Sequence, residues 1–147
     1  MNAMLEDVRK GAEAAGVFGE VVVRDGKVWA AAKGAGDEAF YVAWEEGGKV
    51  WVGLQTPARY LSQSIEADLV NTGDKLEELI LEELIELGYE GPALACEHYR
   101  DAGKLYTFRS AAGSAHVARA EAIVRLMVAY EACFRRLGDM EAGAEEA

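Results

Sequence analysis

Apolar and polar positions follow two periods along the chain, and the changes of period predict where helices give way to strands. Residues 3–15 carry apolar side chains at helical spacing and are predicted to form a helix. Residues 21–23 and 27–32 are valine-rich or apolar and flank Asp25-Gly26. This pair predicts a tight β-hairpin, because both central positions of a type I′ turn need a positive φ.

The middle of the chain predicts two more strands and two helical segments. Residues 40–44 and 50–54 alternate with a period of two and are predicted to be strands. Residues 58–70 have apolar side chains one turn apart, which favours a helix, but their many polar residues leave a loop open as the alternative. Residues 75–87 have an apolar stripe with glutamates on the other positions, which predicts an amphipathic helix.

The last third predicts a second hairpin and a closing helix. Residues 94–99 and 104–108 flank a turn sequence ending in Gly103, and helical spacing resumes after Ser114. The predicted order is therefore α-ββββ-αα-ββ-α. Because no βαβ alternation repeats, we predict an α+β fold. It consists of an antiparallel sheet, a meander of four strands plus a hairpin, with helices packed on one side.

Length and composition fit one domain. The chain has 147 residues, 51% of them hydrophobic, which is enough for a single core. We predict that residues 1–138 form one α+β domain and that the acidic residues 139–147 are a disordered tail. The first residues lack the basic start and apolar run of a secretory signal, and no apolar run is long enough to span a membrane. The expected location is therefore the cytoplasm.

The net charge narrows the choice of partners. At −11 the chain repels nucleic acids and anionic membranes, which are bound through lysine and arginine. We expect neither as a partner. Neutral, basic or apolar partners are favoured, and a protein partner or a second copy of the chain is the expected one.

No motif for a known chemistry is present. The sequence has no P-loop, no G-x-S-x-G and no H-E-x-x-H, so we predict no catalytic residue, no cofactor and no metal site. Cys96 and His98 are placed on one face of a strand, but two ligands are too few for a structural zinc site. Cys96 and Cys133 lie in apolar segments and are interpreted as buried thiols.

Two groups of residues are candidates for an interface or a pocket. Trp29, Tyr41 and Trp51 lie on predicted strands, and aromatic side chains occupy both faces of the sheet. A face that no helix covers would be an interface, whereas burial on both sides is the alternative. Arg59 and Tyr60 follow a strand end, where binding residues often collect, and complete a second group with Cys96 and His98.

In size, acidity and order of elements over residues 3–137, the chain resembles the type III secretion chaperone-like family. The chain has an additional strand and two helices where that family has one. The resemblance implies homodimers formed through the sheet and the middle helix, which hold partly unfolded segments of client proteins. It carries no residue motif, so it implies no site residues.

These observations favour a non-enzymatic protein-binding, chaperone-like or regulatory module that acts as a homodimer. The alternative is a small-molecule-binding protein or minor enzyme with a pocket between the sheet and the helices, near Arg59, Tyr60, Cys96 and His98.

Overall fold

The computed structural model describes residues 2–36, 38–138 and 140. These residues form four helices and a six-stranded antiparallel sheet in the order α-ββββ-αα-ββ-α, so the predicted fold class is confirmed. The bounds are α1 Asn2–Ala15, β1 Val21–Arg24, β2 Lys27–Ala31, β3 Phe40–Glu46, β4 Lys49–Thr56, α2 Arg59–Thr72, α3 Leu76–Glu86, β5 Glu97–Arg100, β6 Tyr106–Ser114 and α4 Ala120–Phe134.

The strands lie in the order β1-β2-β3-β4-β6-β5. The first four form the predicted meander, and the β5–β6 hairpin joins it through pairing of β6 with β4. The first turn has φ of 54° at Asp25 and 73° at Gly26, as its Asp-Gly sequence predicts. Gly47 and Gly48 have φ of 63° and 78° and close the β3–β4 hairpin in the same way.

The core lies between the helices and one face of the sheet. Val28, Ala43 and Val52 are aligned across β2, β3 and β4 and are fully or almost fully buried. Helix α4 packs against β3, β4 and β6, and α1 and α3 pack against α4. The apolar face of α4 includes Tyr130 and Phe134, both fully buried, and burial of each such side chain contributes about 1.5–3 kcal/mol.

Several predicted boundaries are wrong in the last third of the chain. Strand β5 begins at Glu97 rather than at residue 94, and β6 continues to Ser114 rather than ending at residue 108. Helix α4 consequently begins at Ala120, after a turn, instead of directly after Ser114. The segment 58–70, for which helix and loop remained open, is largely helix α2.

The predicted disordered tail, 139–147, lies outside the described residues except for Met140. Met140 is buried, and its carbonyl accepts a hydrogen bond of 2.9 Å from the Gly36 amide. Within the part of the chain that the structure describes, no helix has both the length and the apolar character needed to cross a bilayer.

Candidate functional site

All three tryptophans project from the sheet face opposite the helices, which we call the outer face. Trp44 on β3 is directly paired with Trp51 on β4. Trp29 on β2 is paired with Val42, which lies two residues before Trp44 on β3, so Trp29 is on the same face. Their neighbours along each strand point into the core, as the two-residue period of a strand requires. Trp44 is buried by its neighbours, whereas Trp29 and Trp51 remain partly exposed.

Basic side chains lie over these indole rings. Cation-to-centroid distances of 3.7–5.7 Å place each of them in the range of cation–π attraction, which contributes about 0.5–2 kcal/mol per contact. The pairs are Arg24 with Trp29, Lys27 with Trp29 and Trp44, Lys49 with Trp51, and Arg109 with Trp51. The outer face thus combines large aromatic surface with four positive charges.

Arg109 is the most enclosed of these cations, with a side chain 12% exposed. Its guanidinium carbon lies 3.7 Å from the Trp51 ring centroid and 5.0 Å from that of Tyr99. Nε donates to Glu97 at 2.9 Å, and Nη1 lies 3.2 Å from Glu46. Desolvation lowers the pKa of Arg109, but the bonds to Glu97 and Glu46 outweigh it and raise the pKa overall.

A cleft of about 710 Å³ opens beside Arg109 at the β5–β6 end of the outer face. Gln55 lines it and is 1% exposed. Its amide nitrogen donates to Thr107 at 3.1 Å and to Asp101 at 3.3 Å, but its Oε1 has no hydrogen-bond partner. A buried acceptor without a donor costs about 1–3 kcal/mol.

The aromatic candidates predicted from the sequence divide between the two faces. Trp29 and Trp51 lie on the outer face. Tyr41 lies on the other face, 1% exposed, with its ring 5.7 Å from that of Phe18. Tyr41 is therefore a core residue and does not belong to a surface shared with the two tryptophans.

The second group of candidates is only partly brought together. Arg59 and His98 line one cleft between α2 and β5, about 400 Å³ in volume. Tyr60, one residue further along α2, is 66% exposed and lines a different hollow. Cys96 faces α4, where its Sγ lies 3.5 Å from the Tyr130 hydroxyl.

His98 is held between two side chains of helix α2. Its Nε2 lies 3.1 Å from the Ser62 hydroxyl, and its Nδ1 lies 3.5 Å from the Glu66 carboxylate. The imidazole stacks on Phe108, with centroids 3.8 Å apart and an angle of 8° between the planes. Desolvation lowers the pKa of His98, and Glu66 opposes this.

Sequence patterns alone do not single out Arg109, Tyr99 or Gln55. The predicted strands stop at residues 108 and 54, one residue short of Arg109 and Gln55. If each predicted strand were one residue longer, the alternation of side chains along it would place Arg109 and Gln55 on the outer face. Among the described residues, no group of three or more His, Cys, Asp or Glu side chains is arranged to hold a metal ion.

No protein-family model, curated protein or solved structure gives a significant match to the chain.

Proposed function

We propose that this chain is a protein-binding module whose outer face holds an extended, acidic segment of a client protein. The observation that carries the proposal is the outer face itself, where Trp29, Trp51 and four basic side chains lie on the side of the sheet away from the helices. Aromatic and arginine side chains are the groups most enriched at protein interfaces.

The charge of the outer face favours an acidic client. The whole chain carries −11, yet the strand residues of this face include four cations and only two carboxylates. Both carboxylates, Glu46 and Glu97, are bound to Arg109. This local excess of positive charge revises the expectation from net charge alone, which favoured neutral, basic or apolar partners. Complementary charge at such a face increases the association rate and selects the partner.

The cleft supplies a second reason for a polypeptide client. Its walls include Tyr99, Trp44 and Lys27. Three carboxylates also line it, and all are already in contact with Arg109 or Gln55, namely Glu46, Glu97 and Asp101. An extended peptide can pack against Tyr99, and its acidic side chains can pair with Lys27. Holding an unfolded client segment is also what the resemblance to type III secretion chaperones implies.

The expected homodimer remains part of this proposal, with its contact away from the outer face. If two outer faces came together, the cations of one copy would face those of the other. Like charges placed across an interface cost several kcal/mol. The outer face of each copy then stays open for a client.

Capture from the cytosol of the source organism with matched variants tests the proposal. The first bait is the double variant Arg24→Glu/Lys49→Glu on the outer face. The control bait is the double variant Lys10→Glu/Lys75→Glu, on α1 and at the start of α3, which changes the net charge equally. We expect one client to bind the wild type and the Lys10/Lys75 variant and to be lost from the Arg24/Lys49 variant. A client retained equally by both variants would place binding elsewhere.

The alternative, an enzyme with a pocket between sheet and helices, has one specific observation in its favour. A chain of polar contacts runs from Ser62 through His98 to Glu66, beside a cleft that Arg59 also lines. His98 lies on the helix side of β5, and this cleft shares Tyr99 and Arg100 with the cleft of the outer face.

A further inference from the structure

Three side chains between α2 and β5 have the connectivity of a nucleophile, a base and an orienting acid. Ser62 Oγ lies 3.1 Å from His98 Nε2, and Glu66 Oε2 lies 3.5 Å from the other ring nitrogen, Nδ1. We propose that Ser62 is the nucleophile of a site that hydrolyses small anionic esters, with His98 as general base and Glu66 as its positioning residue.

The local fold holds the three groups without a dedicated motif. Ser62 and Glu66 are four residues apart on α2 and therefore lie on one face of the helix, one turn apart. His98 comes from β5, and its stacking on Phe108 fixes the plane of the ring. The geometry depends on tertiary pairing of β5 with β6, which is why no local sequence pattern reveals it.

The protonation state of His98 suits a base. Burial lowers its pKa, so the imidazole is neutral at neutral pH and has one nitrogen free to accept a proton. The carboxylate of Glu66 beside Nδ1 favours the tautomer with its proton on that nitrogen. Nε2 then accepts the proton of Ser62.

The cleft defines the class of substrate. Ser62 is 1% exposed, so its hydroxyl is reached only by a small group entering the cleft that Ser62 itself lines. Arg59 and Arg100 line the same cleft and would bind a carboxylate or phosphate on the substrate.

The proposed reaction needs only water as a second reactant. Ser62 Oγ bonds to the ester carbonyl carbon while its proton passes to His98 Nε2, and the negative charge moves to the carbonyl oxygen. As the carbonyl re-forms, the bond to the leaving alkoxide breaks and the alkoxide takes the proton from His98. Water then attacks the acyl-serine, gives a proton to His98 and releases the carboxylic acid, and the proton returns to Ser62.

A small fluorophosphonate ester is the direct probe, because it phosphonylates an activated serine with loss of fluoride. We expect mass spectrometry to find one adduct, on Ser62, which is absent in Ser62→Ala and retained in Ser64→Ala on the same helix. Lys10→Glu on α1, away from both proposed sites, should label normally. The labelling needs no client protein, so failure here is distinguishable from failure of the protein-binding proposal.

Ester hydrolysis gives the second readout. With a p-nitrophenyl ester as substrate, Glu66→Gln should lower kcat/KM about tenfold or more and shift the acid limb of its pH profile, since Glu66 acts through His98. A merely structural Glu66 would leave that limb in place. Ser62 left unmodified in natively folded wild type, with hydrolysis unchanged in Ser62→Ala, would overturn the proposal.

Discussion

Gly53 is the residue that allows β4 and β6 to approach beneath Arg109. A Cβ at this position would lie 2.5 Å from the Phe108 carbonyl oxygen and 3.1 Å from the Arg109 Cβ, both distances too short for a normal contact. We therefore expect Gly53→Ala to lower the free energy of unfolding by about 1–3 kcal/mol, the usual cost of overpacking, as measured by urea denaturation.

Gly103→Ala is the matched control for this effect. Gly103 lies in the exposed β5–β6 turn, and the nearest atom to an added Cβ is Asp101 Oδ1 at 3.4 Å. We expect its free energy of unfolding to change by no more than about 0.5 kcal/mol. If Gly53→Ala lowers the free energy of unfolding as little as Gly103→Ala does, the spacing between β4 and β6 adjusts easily to the added Cβ.

Glu131 is a second residue with a distinct energetic signature. It is 6% exposed on α4, and its Oε1 lacks a hydrogen-bond partner. Desolvation raises its pKa, Arg135 at 3.8 Å opposes this, and Glu83 adds to the rise. A raised native pKa means that stability is fully present below the unfolded-state pKa and is lost as pH rises through the native value.

We therefore expect Glu131→Gln to stabilise the protein at neutral pH by about 1 kcal/mol, because no buried carboxylate remains to be ionised. The gain should disappear below pH 4.5, the reference pKa of a glutamate, where the wild-type carboxyl is also protonated. Thermal unfolding across this range measures both effects, with Glu86→Gln on exposed α3 as control. A loss of stability at neutral pH would mean that the ion pair with Arg135 dominates.

At the scale of elements, the segment that leads into β5 is held against α4. Cys96 Sγ contacts the Tyr130 hydroxyl, which also lies 2.7 Å from the Ser110 hydroxyl. Burial raises the pKa of Cys96 to about 11 and that of Cys133, on α4, to about 12. Since only a thiolate reacts readily, both thiols should be inert in the folded protein near neutral pH.

Reaction with Ellman's reagent checks this prediction. The native protein should release almost no thionitrobenzoate, whereas both cysteines should react at once in urea. If the native wild type reacts rapidly with the reagent and Cys96→Ser does not, the segment that leads into β5 separates from α4 in solution.

The elements that the sequence predicts well are those with local signals. The first two hairpins have glycine at the positive-φ positions of their turns, and α3 has a clear apolar stripe. Residues 109–114 offer no such signal, because their serines, alanines and glycine have weak strand propensity. They become strand because they pair with β4 as far as Lys49 and Ser114, and this distant pairing decides the conformation.

The same limit applies to the candidate site. The tryptophans are visible in the sequence, but only the sheet register places all three on one face. Arg109 becomes part of that face because β6 extends past residue 108, and Ser62 meets His98 only through tertiary packing. Local patterns therefore supply the residue types, whereas pairing between distant strands supplies the site.

At the scale of the whole molecule, self-association is a separate expectation from client binding. We expect light scattering to give the mass of a dimer for the wild type, Trp51→Ala and the Arg24→Glu/Lys49→Glu variant, because the dimer contact is proposed to lie away from the outer face. A monomeric wild type would contradict the homodimer. A dimer that dissociates in Trp51→Ala would mean that a second copy occupies the outer face.

The unequal distribution of charge should make the proposed client binding sensitive to salt. The chain carries a net charge of −11, whereas the strand residues of the outer face include four cations and two carboxylates. Local attraction of an acidic segment therefore acts against the net repulsion by the whole molecule. Raising the ionic strength screens charges more than about 8 Å apart and should weaken long-range attraction. Stacking on Trp29 and Trp51 should be affected much less.

The most direct measurement is a titration followed by tryptophan fluorescence, since all three tryptophans lie on the outer face. The probes are a glutamate-rich peptide containing tyrosine and its lysine counterpart of equal length. We predict that only the acidic peptide changes the fluorescence saturably, and that Arg24→Glu with Lys49→Glu abolishes the change while Lys10→Glu with Lys75→Glu preserves it. Equal responses to both peptides, or an acidic-peptide response that survives the outer-face charge reversal, would contradict the assignment of this face as the binding surface.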